Sequence, residues 1–370
     1  MPARICRDLP GTGRMGGLKE MEYQVIQHQH IFRPGQYFRQ CHASTICRLQ
    51  DGSVVCAWFG GEHEKAPDVG IWCARKQGLN GEGGWTAPVK VADREGIPCW
   101  NPVLFLSPDG RLLLFYKIGS EIADWQTYVR ESADGGATWG PERELVPGDA
   151  GGRGPVKNKC LLLQDGTLLA PASLEKGGWR CFADISRDGG ASWERSAFVP
   201  ADLETFAGEG LIQPTLWQDG AGVVHMLMRS SEGAIYRSDS PDGGRTWGKA
   251  RRTTLPNNNC GIDLVRLRDG RLVLVYNPVS GNWAARSPIA LSVSQDNGTS
   301  WSQPQILDHV PCDRNVEWGE FSYPAVVAWR EDIFLTYTWK RRTIAFWQIR
   351  FPAERAEIPQ QKSRNNLQKG

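Results

Sequence analysis

Four clusters of polar side chains along the 370-residue chain have the composition of a sugar-binding surface. They are Glu62, His63 and Glu64 in Gly60-Gly-Glu-His-Glu; Trp100-Asn101; Lys157-Asn158-Lys159; and Asn257-Asn258-Asn259 with Asp263. Charged and amide groups on loops of a rigid scaffold suit the recognition of sugar hydroxyls, which both donate and accept hydrogen bonds. The clusters are accompanied by no metal-ligand spacing, phosphate loop or nucleotide fingerprint, so no cofactor and no metal are expected. The ten cysteines form no CxxC pair, and several lie in apolar runs such as Val54-Val55-Cys56 and Ile71-Trp72-Cys73. They read as reduced, buried small hydrophobes.

Residues so far apart in the chain need a scaffold that brings them to one place. The chain repeats itself at a constant period: Ser132-Ala-Asp134-Gly-Gly136-Ala-Thr-Trp139, Ser186 to Trp193, Ser240 to Trp247 and Ser294 to Trp301 all follow S-x-D-x-G-x-x-W, 54 residues apart. Each copy is a turn: Asp accepts backbone N–H bonds, Gly takes a positive φ, and Trp packs back onto the strands. A second landmark, Asp-Gly ahead of an apolar run, falls at 51–52, 109–110, 165–166, 219–220 and 269–270, with Glu331-Asp332 as a weaker sixth. One such hairpin per repeat gives a sheet of four short strands. Six turns therefore predict an all-β, six-bladed β-propeller with Asp-box turns on its outer rim. The first blade carries a degenerate box, Gly83-Gly84-Trp85, and the last carries none. The expected layout is a leader at 1–22, one propeller at 23–352 and a polar tail at 353–370.

These boxes resemble the Asp-box (BNR) repeats of the sialidase superfamily, and the resemblance spans roughly Gln40 to Trp347. It implies a carboxylate clamp of arginines, an aspartate acid/base and a tyrosine nucleophile with a glutamate partner. Arg229, in Val224-His-Met-Leu-Met-Arg229, and Arg286, in Trp283-Ala-Ala-Arg286, match two of the three family arginines. Asp68, in Ala66-Pro67-Asp68-Val69, matches the acid/base, and Tyr323, in Glu320-Phe-Ser-Tyr323-Pro, the nucleophile. The first family arginine is replaced by His42, in Gln40-Cys41-His42-Ala43, with Arg39 nearby on the opposite face of the alternation. The glutamate partner should come from the blade holding Ile212-Gln213-Pro214, where the expected position is Leu211 and the nearest acid is Glu209. Glu320 is an alternative partner.

The balance of 43 basic against 41 acidic residues leaves a formal charge of +2, which argues against a nucleic-acid protein. No apolar stretch reaches membrane-span length and the first twenty residues lack a secretory core, so the expectation is a cytoplasmic protein with no membrane partner. The resemblance implies an exo-glycoside hydrolase acting on a sialic or uronic acid-containing oligosaccharide or glycoconjugate. Its substrate contacts would be Arg229, Arg286, Glu62, Trp100, Asn101, Lys157, Asn158, Gln213, Asn258, Asp263 and Glu320. Two alternatives stand beside it. One is a hydrolase or lyase of uronic-acid polysaccharide in which His42 is the base or acid, since its ordinary pKa suits proton transfer near neutrality. The other is a glycan-binding propeller without catalysis.

Overall fold

The computed structural model describes residues 23–78, 83–310 and 319–352. The leader at 1–22 and the tail at 353–370 lie outside the described residues, as do Cys6 and Cys312.

The chain enters on β1 (Gln24–His30). Blade 1 is β2 (Gln40–Arg48), β3 (Val54–Gly61), β4 (Gly70–Lys76) and β5 (Val89–Ala92), and blade 2 is β6 (Cys99–Leu106), β7 (Leu112–Ile118), β8 (Gln126–Ser132) and β9 (Arg143–Glu144). Blade 3 comprises β10 (Leu161–Leu162), β11 (Leu168–Leu174), β12 (Arg180–Ser186) and β13 (Glu194–Arg195). Blade 4 comprises β14 (Leu211–Gln218), β15 (Val224–Ser230), β16 (Ala234–Ser240) and β17 (Arg251–Pro256). β18 (Asp263–Arg266), β19 (Leu272–Tyr276), β20 (Ile289–Ser294) and β21 (Gln305–Asp308) make blade 5. Blade 6 takes β22 (Phe321–Trp329), β23 (Asp332–Trp339) and β24 (Thr343–Arg350) from the end of the chain and borrows β1 as its outer strand.

β1 pairs antiparallel with β24 from Gln24 opposite Arg350 to His30 opposite Ala345. The ring is thereby closed by hydrogen bonds between the two ends of the chain. This arrangement explains why the sixth repeat lacks an Asp box: no turn follows β24, because its outer neighbour arrives from the other end. The six-bladed, all-β reading holds.

The Asp boxes act as expected within each turn. In the second blade, Asp134 Oδ1 accepts from Ser132 Oγ (2.8 Å) and Thr138 N (2.8 Å), while Ser132 Oγ accepts from Gly136 N (2.7 Å). The same pattern recurs at Asp188, Asp242 and Asp296. The tryptophans, however, also pack between blades: Trp193 meets Phe115 of blade 2 edge-on, and Trp247 Nε1 donates to Ser196 Oγ of blade 3.

Two of the hairpin landmarks shift. In blade 4 the positive-φ glycine is Gly222, not Gly220, and Asp219 occupies the position that Leu163 holds in blade 3, with its N–H bonded to the Val223 carbonyl. In blade 6 the turn is Arg330-Glu331, since Asp332 already pairs with Trp329. The blade 4 turn keeps the common length with its Asp-Gly pair two residues early, whereas the blade 6 turn is shorter than the common form.

A third regularity concerns the inner strands. In β2, β6, β14 and β22 the register slips at one place, and the residue there has a left-handed backbone: Ala43 (φ 53°), Asn101 (φ 39°), Gln213 (φ 49°) and Tyr323 (φ 53°). Bulges of this kind re-aim side chains, and non-glycine residues in the left-handed region are strained by about 1–3 kcal/mol each. They all lie at the end of the propeller opposite the Asp boxes.

Candidate active site

At that end the bulge in β22 presents Tyr323 to the axis. Its hydroxyl oxygen receives hydrogen bonds from Arg229 Nη1 (2.8 Å) and Gln213 Nε2 (3.2 Å), and Gln213 is itself the bulged residue of β14. With two donors on the oxygen, the phenol's own proton is directed elsewhere. The Tyr323 ring is also the meeting point of the cations: the guanidinium carbons of Arg229 and Arg286 lie 5.8 and 5.7 Å from its centroid, and the Lys157 ammonium 5.8 Å.

Arg229, near the end of β15, is only 2% exposed. Its Nε donates to Asn259 Oδ1 (2.8 Å) and its Nη1 also to Gln213 Oε1 (2.9 Å). Every one of these partners is neutral, and among the described residues Arg229 makes no ion pair. A buried guanidinium with no carboxylate in contact, its nearest electrostatic partner being the Glu175 carboxyl, forms a ready site for an anion.

Beside it, Glu320 is held by Arg286 Nη1 (2.7 Å), Arg341 Nε (2.8 Å) and Ser322 Oγ (2.5 Å). Burial opposes its ionisation, but the permanent charges of Arg341 and Arg286 outweigh burial and hold the carboxyl below the ordinary range; His42 would add to this only when protonated. His42 lies 3.9 Å from Glu320, packs tilted against Tyr323 with ring centroids 4.2 Å apart and bonds Thr338 Oγ1 through Nδ1 (2.9 Å). Burial, reinforced by Arg341, pushes its pKa well below 6.5 against the pull of Glu320. Two permanent guanidinium charges already compensate Glu320, so the imidazole is the group that gives up its proton.

Asp68 stands on the exposed loop between β3 and β4, where its Oδ2 accepts the Glu62 N–H (3.0 Å). Among the described residues no hydrogen bond or ion pair links it to His42. The loop is nonetheless tied to the cluster through Glu64, which pairs with Arg341 (2.7 Å). Glu62 itself is exposed and paired with Arg39.

Several expected substrate contacts are engaged by the protein itself, most of them across blades. Trp100 Nε1 donates within blade 2 to the Gly119 carbonyl, and Asn101 Nδ2 reaches that of Val156 on the approach to blade 3. Lys157 Nζ is enclosed by Asn158 Oδ1 and the carbonyls of Ile262 and Pro324, and burial lowers its pKa to about 8. Asn158 binds the Gln213 and Pro214 carbonyls, Asn258 that of Ala285, and Asp263 joins Lys159, Thr215 and the Val326 N–H. These polar runs sit at or just ahead of strand starts, where their hydrogen bonds cross-link blades 2 to 6.

Glu209 is exposed, and the Tyr323 oxygen is occupied by Gln213 and Arg229, so neither Glu209 nor Glu320 is the phenol's partner. Two residues went unnoticed in the sequence. Arg341 comes from the turn between β23 and β24, inside the run Lys340-Arg341-Arg342, which no motif marks. Glu175 follows β11 as Arg229 closes β15; burial raises its carboxyl pKa against the attraction of Arg229. The signal for both was their place at the same end of each blade as Arg229.

Comparison with known proteins agrees with this architecture. No curated protein sequence matches. Among solved structures, the chain is similar to the Hadza microbial sialidase Hz136 at 15% identity, with a TM-score of 0.72 over 87% of this chain and 68% of that one. A protein of unknown function from Dyadobacter fermentans gives 15% identity and a TM-score of 0.69, over 89% of this chain and 99% of that one. The leech intramolecular trans-sialidase gives 13% and 0.64, over 87% and 70%. At these identities the likeness establishes the sialidase fold alone. Residues 52–335 match the family model described as a BNR repeat-like domain, and on that match, which takes in most of the chain, the protein belongs to the BNR repeat-like domain family.

Proposed function

We propose that this chain is a sialidase-like glycoside hydrolase that binds an acidic sugar at the Tyr323 end of the propeller. The observation that carries the reading is Arg229, a buried guanidinium with neutral partners only, within reach of the same tyrosine ring as Arg286. A substrate carboxylate would supply the ion-pair contact that Arg229 lacks among the described residues. The Tyr323 oxygen then attacks the anomeric carbon while the bond to the leaving oxygen breaks and Asp68 protonates that oxygen. The phenol proton passes to the neutral His42. In the second step water attacks, Asp68 takes its proton, and Tyr323 leaves and recovers its proton from His42. The two donors on the Tyr323 oxygen stabilise it as it departs.

A specific observation favours a second reading. The phenol is bonded to an amide, Gln213, where a carboxylate would serve as base, and a neutral imidazole lies against it. That set also suits β-elimination from a uronic acid, in which His42 removes the proton beside the carboxyl and Tyr323 protonates the departing oxygen. Incubation with a panel of sialosides and uronic-acid oligosaccharides, read by product mass, separates the two: hydrolysis adds one water across the products, and elimination adds none and creates an ultraviolet-absorbing double bond. A panel that binds and returns unchanged would support the non-catalytic alternative.

A further inference from the structure

Away from the Tyr323 cluster, the end of β1, the loop that follows it and the approach to β5 enclose a cleft of about 420 Å³ that no step above uses. Its walls carry the rings of Phe32, Tyr37 and Trp85 and the polar groups of His30, Arg33 and Gln36, and no carboxylate. Tyr37 is 42% exposed, with its ring set edge-on to Phe32 at 5.7 Å between centroids. Trp85 is braced edge-on by Phe346 of β24, at 5.2 Å. The polar groups are not used up by folding. Among the described residues the Arg33 guanidinium makes no hydrogen bond or ion pair, and Gln36 spends its oxygen on the Arg33 N–H (3.3 Å) and leaves its amide N–H groups to be taken. The loop is pinned to the neighbouring turn: Gly35 takes the positive φ (72°) with which its N–H donates to the Arg342 carbonyl (2.8 Å), and the Arg342 side chain lies against it. Arg342 is exposed and, among the described residues, also without an ion pair, and it directly follows Arg341 of the Glu320 cluster.

We propose that this cleft is a second, non-catalytic binding site for one sugar residue of an acidic oligosaccharide, with the pyranose against Tyr37 and Trp85, its anionic group on Arg33 and a hydroxyl on the Gln36 amide. The walls select the class: aromatic rings suit the C–H face of a sugar, and a guanidinium without a counter-ion among groups that include no carboxylate suits an anion. Arg342 adds a second unpaired cation on the side of the cleft that is joined to the Glu320 cluster, so a chain bearing several anionic groups fits better than one bearing a single acid. The choice of ligand rests on the acidic-sugar reading of the Tyr323 end.

The test is calorimetric titration of the full chain carrying Tyr323→Phe, which blocks turnover, with hexasaccharides of galacturonic acid and of N-acetylneuraminic acid and with neutral chitohexaose. Adding Arg229→Gln should weaken the acidic ligands by removing the axial site and leave a residual affinity for at least one acidic hexasaccharide. Within that Arg229→Gln chain, Arg33→Gln or Tyr37→Ala should lower the residual affinity about three- to tenfold, Tyr37→Phe should retain it, and chitohexaose should bind at least tenfold more weakly than the acidic chain. No effect of Arg33→Gln and Tyr37→Ala, equal affinity for chitohexaose, or no binding left after Arg229→Gln would overturn the cleft while the Arg229 result upheld the axial site. If Arg229→Gln changes nothing and the cleft substitutions remove binding, the axial reading fails and the cleft stands. Binding of neither acidic hexasaccharide by any of these chains would overturn both.

Discussion

His42 is the residue on which the chemistry turns. Its imidazole is kept neutral by burial and by Arg341, so turnover that needs the free base should persist below pH 6.5, with the acid limb of kcat/KM displaced to lower pH. The same depression means that the unfolded chain binds this proton more readily than the folded one, so its contribution to stability is present above 6.5 and lost as the pH falls below it. His42→Ala should abolish turnover with the circular dichroism spectrum and melting curve near wild type. His42→Arg should give no conventional sialidase, because Thr338, Tyr323 and Glu320 form a shell shaped to imidazole. Strong sialoside hydrolysis by His42→Arg would refute this role. For Arg229, truncation to Ala should weaken binding of an acidic ligand by roughly 2–5 kcal/mol, measured by calorimetry, since the ligand's carboxylate loses a desolvated partner. Loss of no more than a few tenths would mean that the carboxylate binds elsewhere.

The Asp boxes make a prediction about acid stability at the scale of the element. Hydrogen bonds from Ser192 and Ser186 hold the Asp188 carboxyl down to about 2 from 3.8, so its stabilising contribution is present above 3.8 and lost as the pH falls toward 2. Asp188→Asn should therefore flatten the dependence of unfolding free energy on pH across that interval, as followed by urea titrations at several pH values; an unchanged slope would contradict it. These turns were legible because their hydrogen bonds are local: Ser, Asp and Gly at fixed offsets determine one backbone. The inner-strand bulges were not. Asn101-Pro102, Gln213-Pro214 and Tyr323-Pro324 share a positive φ followed by proline, but Ala43-Ser44 lacks the proline. The bulge interrupts simple alternation, and with it the basis for judging which way each side chain faces. This is why Tyr323 meets Gln213, and why Asn101 is a cross-link.

At the scale of the whole molecule, the blade count followed from the period, but ring closure did not. β1 has no repeat motif, and only its pairing with β24 gives blade 6 a fourth strand. A chain starting at Ile31 should expose the edge of β24, melt at a lower temperature than the full chain and self-associate in size-exclusion chromatography. Monomeric behaviour with an unchanged melt would show that β1 is dispensable. The site was legible in part because Arg229, Arg286, Tyr323 and His42 stand at blade ends that the repeat places around one axis. Arg341 and Glu175 were hidden because contact across blades leaves no spacing in the sequence. The glycosidase reading is decided by the mass spectrum of products from acidic oligosaccharides incubated with wild type and with Tyr323→Phe. Wild type should release a terminal acidic sugar and Tyr323→Phe none. Equal release by Tyr323→Phe, or no cleavage of any acidic glycan by wild type, would contradict it.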